Sequence, residues 1–462
     1  MRWDFVLFFA SLVMIYVGDW ALYIGVGGLV LSMAHGTLKR ITDRKARRMA
    51  VTIGLVISGI GFLGLSAFAL RPNWFGLAQE GGFQTAESDT TTIARLAGLG
   101  WAVRPTSDGI SFEIAGRSLP PMEESAAFFR MLKRPFSLQL GQMNGIAGLH
   151  YLADAPNCTN IVISAGQFTD ISELRGFTHL VSLTISQLPL NGSGTVDPAV
   201  LSSLTSLQDL RLGMTKIRNA DFVAALPHLK VLNLGQTFVD DVSAVAGLAS
   251  LETLDVRGTR VTDLLPIAQN KNLNDLTIDG MQVPGLSHLR SLANLKKLTI
   301  IDQRAIDLSR VGDLTNLETL TILGGTQQYD IAPLQRLAKL RQLMISALGF
   351  GTQAPVKDAQ VIGDLTELRT LTLGSLLIAD VTFIENLKNL TELNLRELPI
   401  FSVEPLRKLK LLKKMALTGL MVFDISPLLD LPALADLTVG RTPVRADVLA
   451  VLEQRGVKVS SF

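Results

Sequence analysis

The sequence predicts an α/β solenoid: a parallel concave β-sheet backed by short helical or 3-10 convex turns, with two transmembrane helices ahead of it. Three observations carry that expectation. Leucines recur at a period of 22 residues over most of the chain. Two long apolar segments, 5–34 and 50–70, precede them. Of the 462 residues, 48 % are apolar and only 18 % charged, against a usual ~25 % charged. One cysteine excludes an intramolecular disulfide framework, five histidines argue against a multi-histidine metal site, and a net charge of +2 singles out no partner.

The N-terminal region, 1–71, is expected to be a membrane anchor. Segment 5–34 is apolar except for Asp19 and a few small polar groups, and segment 50–70 contains no charge. A helix needs ~20 apolar residues to cross the hydrocarbon core, and its backbone then bonds to itself. No small-residue cleavage site follows the first segment, which argues against a secretory signal. The loop between them, 37–49, carries Lys39, Arg40, Arg44, Lys45, Arg47 and Arg48. Basic loops stay in the cytoplasm, so both termini are expected outside. As one helix the first segment spans ~45 Å, longer than the core, so part of it tilts or emerges. Asp19, ringed by Tyr16, Trp20 and Tyr23, is expected near a head-group boundary or kink; an intramembrane carboxylate is the alternative.

Residues 72–134 read as a linker and an N-terminal α/β cap: helix in SDTTTIARLAGLGW, hairpin in AVRPTSDGISFEIAG, helix in PPMEESAAFFRMLKR. The repeats occupy 135–445, about 14 units on the pattern L-x-x-L-x-x-L-x-L. The strand leucine or its substitute falls at Leu138, Ile161, Leu183, Leu210, Leu232, Leu254, Leu276, Leu298, Leu320, Leu343, Leu371, Leu393, Met415 and Leu437. In LTI at 320–322, Leu320 and Ile322 point to one face of a strand and Thr321 to the other. One unit cannot bury that face alone, so neighbours stack and share a core. Residues 446–462 read as a C-terminal cap of helix and strand, covering an edge that would otherwise invite association.

The strand is followed by a second signature. A hydrophobe comes seven residues after the strand leucine at Ile217, Val239, Val261, Val283, Ile378, Ile400, Val422 and Val444. Asp170-Ile171, Asp241-Val242, Asp380-Val381 and Asp424-Ile425 come next; each Asp can accept bonds from the free N–H groups of a short convex turn. These units resemble leucine-rich repeats, specifically the 22-residue bacterial type of internalin-like proteins. The asparagine usual to that family after the strand is mostly replaced, by Thr215, Thr237, Thr259 and Thr442 or by Leu188, Leu376, Leu398 and Leu420. The resemblance implies the fold over 135–445. Extracellular eukaryotic relatives usually close with cysteine-rich caps, so their absence implies a bacterial inner-membrane protein with its repeats in the periplasm. The sequons at Asn157, Asn191 and Asn389 then carry little weight.

No catalytic constellation stands out, and no cofactor is expected. There is no HExxH, GxSxG, CxxC or phosphate loop. GVGG at 25–28 falls within an apolar span and reads as helix packing. Cys158 takes a core leucine's place, and His179 and His228 lie two units apart. Candidate binding residues are therefore sought on the concave sheet, one before, one after and three after the strand leucine. A threonine theme runs there: Thr184, Thr277, Thr299, Thr321, Thr372 and Thr438. Five consecutive units add a charged patch of Asp209, Arg211, Asn233, Asp255, Arg257, Asp275, Asp279 and Lys297, in which Arg257 and Asp279 are expected to pair. Insertions at 188–199 and 347–360 are expected as strand-exit loops that could bind instead. The run RKLKLLKK (407–414) could meet an anionic envelope polymer; without interleaved aromatics it does not suggest nucleic acid.

The function expected is that of a non-catalytic, membrane-anchored protein that presents this concave surface to a protein or glycan partner, held in the bilayer by its two helices. The alternatives are a structural or adhesion component of the envelope, and an accessory subunit of a membrane enzyme or transporter acting through those helices.

Overall fold

The computed structural model describes residues 87–105, 112–116, 122–141, 148–164, 171–186, 196–279, 287–302, 308–325, 327–347 and 353–461. The expected anchor, its basic loop and Asp19 lie outside the described residues, as do Leu188, Asn191, Asp170 and Val283. Among the described residues, no helix is long and apolar enough to cross a membrane.

Residues 87–462 gather into one compact unit. It opens with helix α1 (Glu87–Gly98), the antiparallel hairpin β1 (Ala102–Pro105) and β2 (Phe112–Gly116), and helix α2 (Met122–Met131). The N-terminal cap thus has the order of elements expected. Trp101 seals it, with its ring edge-on to Phe129 and its Nε1–H donated to Ser125 Oγ at 2.9 Å. From β2 onward every neighbouring pair in the main sheet is parallel. The strands run β3 (Phe136–Gly141), β4 (Cys158–Ser164), β5 (Ser182–Ser186), β6 (Asp209–Arg211), β7 (Val231–Asn233), β8 (Thr253–Asp255), β9 (Asp275–Asp279) and β10 (Lys297–Asp302). They continue through β11 (Thr319–Gly324), β13 (Gln342–Ala347), β15 (Thr370–Gly374), β17 (Glu392–Arg396), β18 (Lys414–Thr418), β19 (Asp436–Gly440) and β20 (Lys458–Ser461). Those strands form one 17-stranded sheet.

The register is set by the leucine period. Leu210 faces Leu232, Leu232 faces Leu254, and Leu254 faces Leu276 across successive strands. The column continues through Leu298, Leu320, Leu343, Leu371, Leu393, Met415 and Leu437. All these side chains are buried. Slipping a strand by one residue would turn its leucines out to solvent, so the apolar face fixes the pairing. From the Leu210 unit onward, the return segments bury the other two leucines of each unit, such as Leu226 with Leu229 and Leu387 with Leu390. One unit departs from this. Asn270 occupies the first of those positions, buried, and its Oδ1 has no hydrogen-bond partner.

Seven of the strands are left through a sharp bend. The residue four after the strand leucine adopts a positive φ at Met214, Gln236, Gly258, Ser375, Glu397, Gly419 and Arg441. Five of these seven are not glycine, at about 1 kcal/mol or more of strain each. The bend is held because its N–H bonds to the carbonyl of the next unit: Gln236 to Arg257 at 2.7 Å, Glu397 to Thr418 at 2.8 Å. In six of these bends the next residue is buried whatever its chemistry; Thr442, after Arg441, is half-buried. Thr215, Thr237 and Thr259 donate their hydroxyls to the carbonyls three residues back, at 2.7, 2.6 and 2.6 Å; Leu376, Leu398 and Leu420 fill the same place apolar.

The convex side is a stack of 3-10 turns, including Ser243–Gly247, Thr382–Asn386 and Ser426–Asp430. The aspartates read as caps act as such. Asp241, Asp380 and Asp424 accept the N–H of Ser243, Thr382 and Ser426 at 2.7, 2.8 and 2.9 Å. Those bonds hold the three carboxyls below the usual range. On the return side a second ladder appears: Asn272, Asn294, Asn316 and Asn389 each donate Nδ2–H to a carbonyl of the preceding unit, at Ala249, Lys271, Ala293 and Thr366. Asn157, read above as a sequon, does the same to Leu132 at 2.8 Å. The last unit closes with helix α4 (Ala446–Gln454) and β20, the helix and strand expected there.

The two insertions differ. Of the first, 188–195 lie outside the described residues, and Asp197 caps the short helix α3 (Pro198–Leu201) by accepting Ala199 N–H at 2.9 Å. The second is more than a loop. Part of it is β14 (Ala354–Lys357), which pairs with β12 (Tyr329–Asp330) and β16 (Leu376–Leu377) in a small parallel ribbon on the strand-exit flank. Lys357 closes the ribbon on Asp330 at 2.9 Å.

Candidate functional site on the concave wall

The charged residues singled out in the sequence lie on one wall. Arg211, Asn233 and Asp255 are in register as a single column across β6, β7 and β8. Asp209 and Asp275 stand in the column before the leucines, and Asp275 faces Lys297 across β9 and β10. Arg257 and Asp279 follow three residues after their strand leucines. At ~4.8 Å per strand, the five units span ~19 Å.

The groups hold one another in place. Arg211 grips Asp209 with two nitrogens, Nε to Oδ1 at 3.0 Å and Nη2 to Oδ2 at 3.1 Å. Asn233 donates Nδ2–H to Asp255 Oδ2 at 3.2 Å and accepts Gly235 N–H at 2.8 Å. Asp255 also accepts Arg257 N–H at 3.1 Å, and Arg257 Nε lies 3.2 Å from its Oδ2. Lys297 Nζ reaches Asp275 Oδ2 at 2.9 Å. Gly235 makes this crossing possible: a Cβ there would stand 3.1 Å from Asp255 Oδ1 and 3.2 Å from Asn233 Oδ1.

Asp255 is the centre of the patch. Burial pushes its carboxyl up; Arg257 pulls it back, and the neighbouring charge of Asp275 adds to the rise. Three cations (Arg211, Arg257, Lys297) meet four carboxylates (Asp209, Asp255, Asp275, Asp279), so the patch carries a formal charge of 3 − 4 = −1. Such a wall can present hydrogen-bond donors and acceptors at fixed spacing. It holds no nucleophile beside a base.

The other candidates resolve individually. Cys158 is fully buried, and burial pushes its thiol up to about 12, which makes it an inert core residue. Among the described residues, no group of three or more His, Cys, Asp or Glu could hold a metal. In the basic run, Arg407 pairs with Glu404 and Asp430, Lys408 with Glu385, and Lys414 with Glu392; Lys410 donates to the Asp430 carbonyl at 2.7 Å. Of the threonine column, Thr299 is buried and the others are half-buried; further along the wall, Leu323 is buried although it points away from the leucines.

Two features went unread in the sequence. On the strand-exit flank, the guanidinium groups of Arg218 and Arg260, from the units on either side, lie over the Phe238 ring at 5.5 and 5.1 Å from its centre. The period of 22 was the available signal, since it aligns Phe238 with Arg260. Near the N-terminal cap, Glu173 accepts the backbone N–H groups of Gly148 and His150 and bonds the His150 ring.

Known structures repeat this architecture. An internalin from Listeria monocytogenes is 27 % identical, with 68 % of this chain and 88 % of that one covered and a TM-score of 0.53. A leucine-rich-repeat protein of Leptospira interrogans is 17 % identical, with 76 % and 89 % covered and a TM-score of 0.54. The fold is a leucine-rich-repeat solenoid. No family model matches the sequence, and no curated protein does. The second likeness concerns the fold alone; both are to bacterial proteins.

Proposed function

We propose that this chain is a non-catalytic binding protein whose strand wall captures a protein partner, with β6 to β10 as the contact. The observation that carries this reading is the patch itself: polar groups from five consecutive strands, held by neighbouring groups and set on one continuous hydrogen-bonded sheet. Preorganisation of that kind lowers the entropic cost of association. The solenoid supplies the wall, and departures from the repeat consensus supply the information.

The reading extends to location. Segments 5–34 and 50–70 anchor the chain in a bacterial inner membrane, loop 37–49 stays in the cytoplasm, and the repeats face the periplasm. Its support is the charge asymmetry around those segments. A reporter active only in the periplasm, fused after Phe462, is expected to be active; a silent fusion would reverse the topology.

Partner capture is tested by cross-linking pull-down in intact membranes. Arg211→Glu combined with Asp255→Lys is expected to abolish capture while the unfolding midpoint shows a folded protein. Capture that survives this pair, but disappears when the apolar segments are exchanged for an unrelated anchor, would move the interface to the membrane.

A further inference from the structure

A different surface is apolar. On the strand-exit flank of the last units, Leu377, Phe401, Met421 and Phe423 are 50, 69, 61 and 63 % exposed. They lie six or eight residues after Leu371, Leu393 and Met415, so the solenoid stacks them in adjacent turns; Pro399 and Pro443 occupy the same column. Since a large apolar side chain offers ~200 Å², the four expose on the order of 450–500 Å², the size at which a surface patch is often functional. Exposed to this degree, they contribute little to the core.

The strip has an acidic end and a basic end. Asp380, kept ionised by the bonds it accepts from Thr382, stands at its first turn. Arg441 and Arg445, both at least half exposed, stand at its last, paired with the half-buried Glu397 and the exposed Asp447 respectively. Exposed pairs of this kind are weak and exchange partners readily. A strip with opposite charges at its two ends complements itself under a two-fold rotation. Turning a second copy by half a turn, about an axis between the turns of Phe401 and Phe423, lays Phe401 against Phe423 of the other copy. The same operation brings Arg445 toward Asp380 of the other copy, twice.

We propose that this strip is a self-association surface at which two copies of the chain pair antiparallel, flank to flank. Pairing buries roughly 1,000 Å² in all, at the small end of specific interfaces. The dimer is therefore weak and reversible, with dissociation in about the micromolar range. A bilayer is the less favoured occupant, because the carboxylates Asp380 and Asp424 along the strip disfavour anionic head groups.

Sedimentation of the full-length protein in zwitterionic detergent tests this. The wild-type protein is expected to rise toward twice the protomer mass between about 1 and 100 µM, and Phe401→Glu to remain at the protomer mass with an unchanged unfolding midpoint. Both share the same N-terminal segments, so the difference reports on the strip. Met421→Cys, beside the axis, is expected to form a disulfide with its copy under mild oxidation, whereas Asp436→Cys on the sheet is not; Cys158 is buried and stays silent. Identical sedimentation of wild type and Phe401→Glu would overturn the proposal, as would failure of Met421→Cys to cross-link. A monomeric wild type whose Met421→Cys is shielded from a water-soluble thiol reagent in anionic liposomes, but not in detergent, would assign the strip to the bilayer. Should Phe401→Glu unfold, Met421→Ser replaces it in the same comparison.

Discussion

The units around Leu210, Leu232 and Leu254 and those around Leu371, Leu393 and Met415 make the same bend with opposite chemistry. In the first group the residue after the bend is a buried threonine whose hydroxyl donates within its own turn. In the second it is a buried leucine: Leu376, Leu398 or Leu420. The surfaces differ too. The first group carries the charged concave patch, and its exit flank holds Arg218, Phe238 and Arg260; the second exposes an apolar flank. The difference teaches that the solenoid demands a filled position after the bend, not a particular side chain. A threonine that supplies its own acceptor is admitted as freely as a leucine, because its polar atom is never left alone.

The comparison can be broken most forcefully at Leu398. Leu398→Ala leaves a cavity between stacked units and is expected to cost about 2–5 kcal/mol. Thr237→Val, which keeps the shape and removes one hydrogen bond, is expected to cost only about 1 kcal/mol. Urea unfolding of both variants checks the ranking, and equal losses would mean that the two turns are not equivalent.

Asn270 sharpens the same point, because there the rule is violated. Its Nδ2 makes two long bonds of 3.4 Å, to Pro266 O and Ile267 O, while Oδ1 makes none. Its backbone matches the leucines that hold this place elsewhere: φ −79° and ψ 87°, against −85° and 78° at Leu248. Asn270→Leu is therefore expected to raise stability by about 1–3 kcal/mol, read as a higher urea midpoint with an unchanged slope. A drop would show that the asparagine is satisfied in solution.

The smallest effect concerns pH, where the two surfaces should act with opposite sign. Asp241, Asp380 and Asp424 are held below their usual 3.8 in the folded protein. Their contribution is complete above 3.8 and is lost as pH falls through their folded values. Asp255 is raised above 3.8, chiefly by burial, so its charge opposes folding above its folded value, and the penalty is relieved as pH falls toward 3.8. Asp255→Asn should remove a stability gain on acidification above 3.8. Asp380→Asn should flatten the loss below it. Urea midpoints measured across that range test both signs.

Much was legible in the chain alone. The period fixes which residues share a face, so the leucine columns, the seven-residue hydrophobes such as Val239 and Ile400, the aspartate caps and the membership of the concave patch could all be read from spacing. The Asn272–Asn294–Asn316 ladder shares that spacing, but the carbonyl each amide meets is set by the geometry of the turns, which spacing does not give.

The sequence by itself determined the parallel stack, its register and its buried face, because burying one apolar stripe per unit admits a single pairing. Only the tertiary structure decided how the polar groups partner: Arg211 within its own strand, Asn233 across to Asp255, and the basic run onto Glu385, Glu392, Glu404 and Asp430. It also decided that 354–357 becomes a strand and that Phe401 and Phe423 stay outside the core. The physical reason is range. Apolar burial is periodic and non-directional, and so is written in composition and spacing. Hydrogen bonds and ion pairs act over about 3 Å, and which groups come that close is set by the bend of each turn and the stacking of its neighbours.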